Sequence, residues 1–373
     1  MMNFKDLYYF IGKCLVIDDN PGVRAEIVSS ISHPDFPWED FVRLSSSQKV
    51  VPALYARFRS SELIRDLPQD MVQYLEYFYG LNLKRNLSIS KQVYELSSLL
   101  VENEIFPIFL KGSANLVDKL YPDSGERMIG DIDFLVREED FFNTAEVLQS
   151  IGYRPHIQVK TKNYSKIKHY PSMIKDGVPS YVEIHRLVEN YPHSKRLTSS
   201  MVWDDKIPSA VIDSCFVPSR EHRIIHNFLH AQINNNYHYY GQVSLKDYHD
   251  IYLLTKDVDV DSLMRNFPFY RKKLETYLSA VSQTFNKPDH LPFIDDLHYK
   301  RFMNRANKNL QGSFGAKVNY QLRFIINRIW TGAGALVGFI SNRGLRARTI
   351  HKLQSRTAIK KNQKNNKRAE PKR

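Results

Sequence analysis

The chain has 373 residues, enough to bury a large core and, by the usual size scaling, to form two or three compact units. Its 42% hydrophobic and 25% charged residues are ordinary for a globular protein, and a mean hydropathy of -0.43 argues against a polytopic membrane protein. Two distant cysteines, Cys14 and Cys215, exclude a disulfide framework or zinc cluster; the net charge of +13 sits mostly between Arg343 and Arg373, where twelve basic residues meet one acid, Glu370, so the body does not by itself ask for a polyanionic partner.

The start, MMNFKDLYYFIGKCL, lacks the basic opening, unbroken apolar run and small-residue cleavage site of a secretory signal, so a cytoplasmic protein is expected. From Trp38 to about Asn103 apolar residues recur at helical spacing, as in Ile89, Val93, Leu96 and Leu100. Pro68 suits the first turn of a long helix, where its missing N–H would have no helical partner anyway. Residues 1–104 are therefore predicted to be a helical region. Ile105 to Leu110 reads as a strand, Gly112-Ser113 as a turn, and ANLVDKLY as a helix. After a loop through Asp123, Ser124 and Gly125, the run DIDFLV alternates, with Ile132, Phe134 and Val136 on one face and Asp131 and Asp133 on the other. A helix over Glu138 to Ile151 follows, then two extended runs around Asp176-Gly177, a strong hairpin signal. The second run places Tyr181, Glu183 and His185 on one face. Residues 105–218 thus form the predicted catalytic core. Beyond Ser219 the pattern turns helical again through 219–354, with Ser244 and Asp247 at capping-box spacing and further helices over Val260 to Phe285 and Asp295 to Ile329. Residues 355–373 are polar, basic and predicted to be disordered.

Acids at i and i+2 of a strand stand roughly 6 to 7 Å apart along the backbone, so Asp131 and Asp133 can converge on a pair of divalent cations. Nucleotidyl transfer uses that geometry, one cation activating an attacking hydroxyl and the other neutralising charge on the triphosphate and leaving pyrophosphate. Glu183, whose neighbours Val182 and Ile184 point the other way, is the predicted third carboxylate. Gly112 permits close backbone approach, the helix start offers free N–H groups to a phosphate, Ser113 adds a hydroxyl, and Lys111 or Arg127 a positive charge. Each element alone is common as a solvated strand face or a plain turn. Their order along the chain is what points to an active site.

At these residues the sequence resembles the DNA-polymerase-β-like nucleotidyltransferase superfamily, and most closely an uncharacterised bacterial nucleotidyltransferase family within it. The shared pattern is Lys111-Gly112-Ser113, Asp131-Ile132-Asp133-Phe134 and Val182-Glu183-Ile184. The resemblance implies Asp131, Asp133 and Glu183 as ligands of two Mg²⁺ ions, with Mn²⁺ as an alternative, and gives Gly112 and Ser113 the triphosphate. The narrower family shares an arginine before the Asp pair, here Arg127, and a histidine after the third acid, here His185. It also covers WEDFVRLSSSQKVVPALY and HNFLHAQINNNYHYYGQVSLKDYHDIYLL, so the likeness runs from about Trp38 to Leu254. One departure is the seventeen residues between Ser113 and Asp131, a long spacing that implies a lengthened helix or a loop limiting nucleotide access.

The expectation is an α+β enzyme, a small mixed β-sheet flanked by N-terminal and C-terminal helical regions. It would move NMP from an NTP to an acceptor that is a small molecule, peptide, protein or tRNA end. Rival readings are a toxin-like transferase acting on tRNA or protein, and a non-catalytic nucleotide-binding or membrane-associated protein. His185 and Asp247 are candidates for the substrate pocket, Asp247 being first of all a helix-cap acid. His222, His226 and His230 recur every four residues and read as pocket or structural histidines rather than metal ligands. The apolar stretch Ile329 to Ile340 is too short to span a bilayer and reads as a buried helix, with an interfacial anchor as the alternative; the basic tail is a candidate contact for nucleic acid or anionic membrane.

Overall fold

The computed structural model describes residues 2–156, 167–213 and 215–311. Its described residues open with four helices, α1 (Phe4–Leu15), α2 (Arg24–Ile31), α3 (Trp38–Ser47) and α4 (Val51–Ser60), and a long α5 (Gln69–Glu102). The central part runs β1 (Ile108–Leu110), α6 (Lys111–Val117), β2 (Asp131–Leu135), α7 (Phe141–Ser150), β3 (Arg154–Pro155), β4 (Met173–Ile174), β5 (Tyr181–His185), α8 (Ser199–Asp204), β6 (Lys206–Pro208) and β7 (Phe216–Pro218). Helices return with α9 (Arg220–Phe228), α10 (Tyr237–Tyr240), α11 (Leu245–Thr255), α12 (Val260–Asn266), α13 (Arg271–Thr284) and α14 (Leu297–Leu310). The fold is α+β, as expected. The expected helix to Ile329 is described only as far as Leu310, and the apolar stretch Ile329 to Ile340 and the basic tail lie outside the described residues.

The strands form one mixed sheet in the order β3-β4-β5-β2-β1-β7-β6. β2 pairs antiparallel with β1 and parallel with β5, and the second register sets Asp133 opposite Glu183. The hairpin expected at Asp176-Gly177 joins β4 to β5, with Gly177 at φ +81, a conformation that a side chain disfavours. Alternation in β2 sends Ile132 and Phe134 into the sheet's core with Val182 and Ile184 of β5, which leaves both strands' acids on the other face.

Helix α5, 34 residues and about 50 Å long, ties the molecule together. Met71, Leu75 and Tyr79 at its start enter a helical core, while Ile89, Val93, Leu96 and Leu100 pack on the sheet. Between them Asn82 and Asn86 bond the carbonyls of Ser124, Gly125 and Arg127, and Arg85 bonds those of Ile129, Gly130 and Pro179. The long spacing before Asp131 is therefore not a lengthened helix: α6 ends at Val117, and the rest is a loop pinned to α5. Pro68 caps α5 just outside its first residue. The N-terminal helices and the helices after β7 share a single hydrophobic cluster. No helix among the described residues is long and apolar enough to cross a membrane.

Candidate active site

At the end of β1 the chain turns sharply into α6, and the residue that takes the unusual backbone is Lys111, at φ +52, rather than Gly112. That conformation costs a non-glycine residue of order 1 kcal/mol and needs a compensating contact. Lys111 finds one, its Nζ lying 2.6 Å from Asp133 Oδ1. The same oxygen receives His185 Nε2 at 2.9 Å. Ser113, buried, spends its hydroxyl on the backbone of Leu110 and Asp133 and so fastens α6 to β2. It touches the carboxylate strand instead of pointing at the cleft.

The acids occupy different electrostatic situations. Burial alone would raise the Asp133 carboxyl, but the Lys111 ammonium and His185 outweigh it and hold Asp133 well below the usual range. Glu183 is likewise held at about 2 against the effect of burial, by His185 and by His169, while its Oε1 accepts a hydrogen bond from Ser172 at 2.7 Å. Asp131 is pushed up, by burial and then by the negative charge of Asp133. Asp133 Oδ2 is buried and has no hydrogen-bond partner, and ligand atoms of Asp133, Glu183 and His185 lie within 4.8 Å of one another. An orphan carboxylate oxygen beside a second acid and an imidazole fits a divalent cation, and Asp131 is not part of that group.

Asp131, Lys111 and Gly112 open onto a cleft of about 440 Å³, within the range of small-molecule sites. The sheet side supplies Arg127, Met128 and Ile129; the opposite wall comes from α9 and its continuation, with His226, Asn227 and His230, and from α11, with Lys246, Asp247 and Asp250. The cations Lys49, Lys111, Arg127, Arg223 and Lys246 outnumber the acids Asp131, Asp247 and Asp250 in this lining, and all of these cations but Lys49 are paired with a carboxylate. Arg127, expected to meet the phosphates, is engaged with the second wall: its Nε and Nη2 bond Asp250 at 2.8 and 2.7 Å. Asp250 also accepts from Asn115 and Tyr121, both at 2.8 Å. One buried carboxylate thereby joins α6, the pinned loop and α11. Asp247 lines the cleft, and its amide is capped by Ser244. His185 does not line it. The structure corrects that expectation by burying His185 completely beneath Asp133, because the face it shares with Glu183 is covered there by neighbouring chain, with the His169 ring tilted against it at 5.1 Å. Of the spaced histidines, His226 and His230 reach the cleft, whereas His222 sits near Asp205.

A family model described as an uncharacterised nucleotidyltransferase matches residues 34–267. The chain belongs to that family. A comparison with curated proteins finds no match. The family's span runs from just before α3 to just past α12 and so includes the carboxylate strands, α6, the pinned loop and both walls of the cleft. It leaves out α1, α2, α13 and α14, which complete the helical core. Within the family's span, sequence reasoning missed Asp250, Arg223, Asn115, Lys168, His169 and Glu189. Asp250 had a signal, lying one helical turn beyond Asp247. The others had none, being isolated polar residues outside any regular motif.

Proposed function

We propose that the cleft binds an NTP and transfers its NMP group to an acceptor nucleophile with release of pyrophosphate. The observation that carries this is the matched register of Asp133 and Glu183 on parallel neighbours, beside Asp131, at the edge of a cation-lined cleft. Asp131, Asp133 and Glu183 would hold the divalent cation, Mg²⁺ or Mn²⁺, which supplies activation of the acceptor and charge neutralisation at the triphosphate. The chain's own groups do the positioning. At Gly112 a Cβ would sit in ordinary contact, 3.6 Å from Arg127 Nη1 and the Ile129 side chain, so the glycine brings the backbone close to the cleft floor. Arg127 stands beside it, oriented by Asp250, and Lys49, Lys246 and Arg223 surround the space that a triphosphate would fill. Lys111 covers Asp133 and would exchange that carboxylate for a phosphate oxygen when the cation arrives.

The test is incubation with each α-labelled NTP, Mg²⁺ and a cell extract, comparing wild type with the double variant Asp131→Asn, Asp133→Asn. Wild type should transfer label into small-molecule, protein or RNA fractions, and the double variant should lose at least about 100-fold. Which fraction is labelled names the acceptor class, and a tRNA label would favour the toxin-like reading. Binding of NTP without transfer would leave a non-catalytic nucleotide-binding protein, and no binding at all would end the proposal.

A further inference from the structure

Behind the helical wall of the cleft lies a second cluster of ionisable groups that the three carboxylates do not use. Glu189, just after β5, is fully buried. Its Oε2 accepts from the Asn190 amide at 3.3 Å and from the Asn234 side chain, and lies 3.7 Å from Lys168 Nζ. Its Oε1 has no hydrogen-bond partner. Facing that oxygen at 3.6 Å is His226 Nε2, also buried and also without a partner. The gap is just beyond a hydrogen bond, so a small movement closes it. A buried carboxylate, ammonium and imidazole left incompletely paired are costly to keep, and perturbed groups of this kind cluster at functional sites.

The backbone explains how these groups meet. After α9 the helix widens into a π-turn at Leu229–Asn234. The wider turn puts Asn234 against Glu189 while His226 and His230 stay on the cleft, and π-turns concentrate at functional sites. His226 thus has one side on Glu189 and lines the same cavity as Lys111 and Asp131. Burial, then the charges of Lys168 and Lys111, push its imidazole well below the usual range, so it rests neutral, and it is the Glu189 carboxylate 3.6 Å away that offsets those charges when a proton arrives.

Resting on the nucleotidyltransferase reading of the cleft, we propose that His226 is the proton acceptor for the attacking nucleophile, and that Glu189 is the positioning residue that orients it and stabilises its charged form. In the step, the acceptor oxygen forms its bond to the α-phosphorus as the bond from that phosphorus to the bridging oxygen breaks. Pyrophosphate leaves with the electron pair of the broken bond. The acceptor's proton passes to neutral His226, and the resulting imidazolium faces the Glu189 carboxylate.

The experiment uses the full chain, the α-labelled NTP and the extract fraction that wild type labels. His226→Gln should lower kcat by about 100-fold or more while the KM for NTP stays within about threefold. Imidazole added to His226→Ala should restore part of the lost rate. Glu189→Gln should move the acid limb of kcat/KM to lower pH by about one unit, because the imidazolium loses its counter-charge. That limb is read against the other charged groups facing His226, which are Lys168, Lys111 of α6, His185 of β5 and its own neighbour His230. Near-wild-type kcat in His226→Gln, a raised KM with kcat intact, or no imidazole rescue in a folded His226→Ala each overturn the assignment and leave the transferase reading standing. If wild type labels nothing with any NTP, the transferase reading falls and the base falls with it.

Discussion

Lys111 combines a left-handed backbone, an ion pair with a buried acid and a place on the cleft floor. Removing its charge leaves Asp133 beside Asp131 and Glu183 with His185 as its remaining hydrogen-bonding partner. Lys111→Met should therefore destabilise the metal-free protein, by about 2 kcal/mol given the partial exposure of the lysine. Mg²⁺ should recover more stability in the variant than in wild type, since the cation then meets no competing ammonium. Thermal melts with EDTA and with Mg²⁺ check this; equal Mg²⁺ shifts in both proteins would show that the ammonium does not sit where the cation binds. The three acids were legible because strand alternation shows which residues share a face. The lysine's pairing and the Arg127–Asp250 pair were not, because an ion pair between residues 22 or 123 positions apart leaves no periodic trace in the chain.

Elements were legible where a period was long. The repeat through Ile89, Val93, Leu96 and Leu100 announced α5, and Asp-Gly announced the β4–β5 hairpin. What the helices pack against was not announced. Gly12 in α1 illustrates this: a Cβ there would lie 2.5 Å from the Thr284 carbonyl oxygen and 2.9 Å from its Cγ2. Nothing in FKDLYYFIGKCL marks that glycine as a contact point with the end of α13. Gly12→Ala must push the two helices apart and should cost about 1–3 kcal/mol, read as a fall in the urea midpoint at unchanged m-value. An unchanged midpoint would mean that α1 and α13 do not approach this closely.

At the scale of the whole molecule, the hydroxyl of Tyr9 bonds Asn307, and α1 shares its core with α3, α4, α13 and α14. The sequence divides into helical, mixed and helical thirds, yet the outer two make one core, a closure that local propensity cannot report. Residues 1–33 precede the family match but carry Leu7, Tyr8, Phe10 and Ile11 of that core. Their deletion should abolish cooperative thermal unfolding, as followed by circular dichroism; a shortened chain melting at the wild-type temperature would show that the matched span folds alone.

The parallel pairing of β2 and β5 sets how this enzyme can vary. Asp133 meets Glu183 by counting residues along two strands, not along the chain between them. Apart from His169 and Ser172, which contact Glu183, and β4, which pairs with β5, the described residues between the two strands can change in length without shifting that register. A single residue inserted within either strand has the opposite effect. It turns an isoleucine or valine to the face that carries the acids and a carboxylate into the core, so variation inside the strands is all-or-none while variation between them is graded.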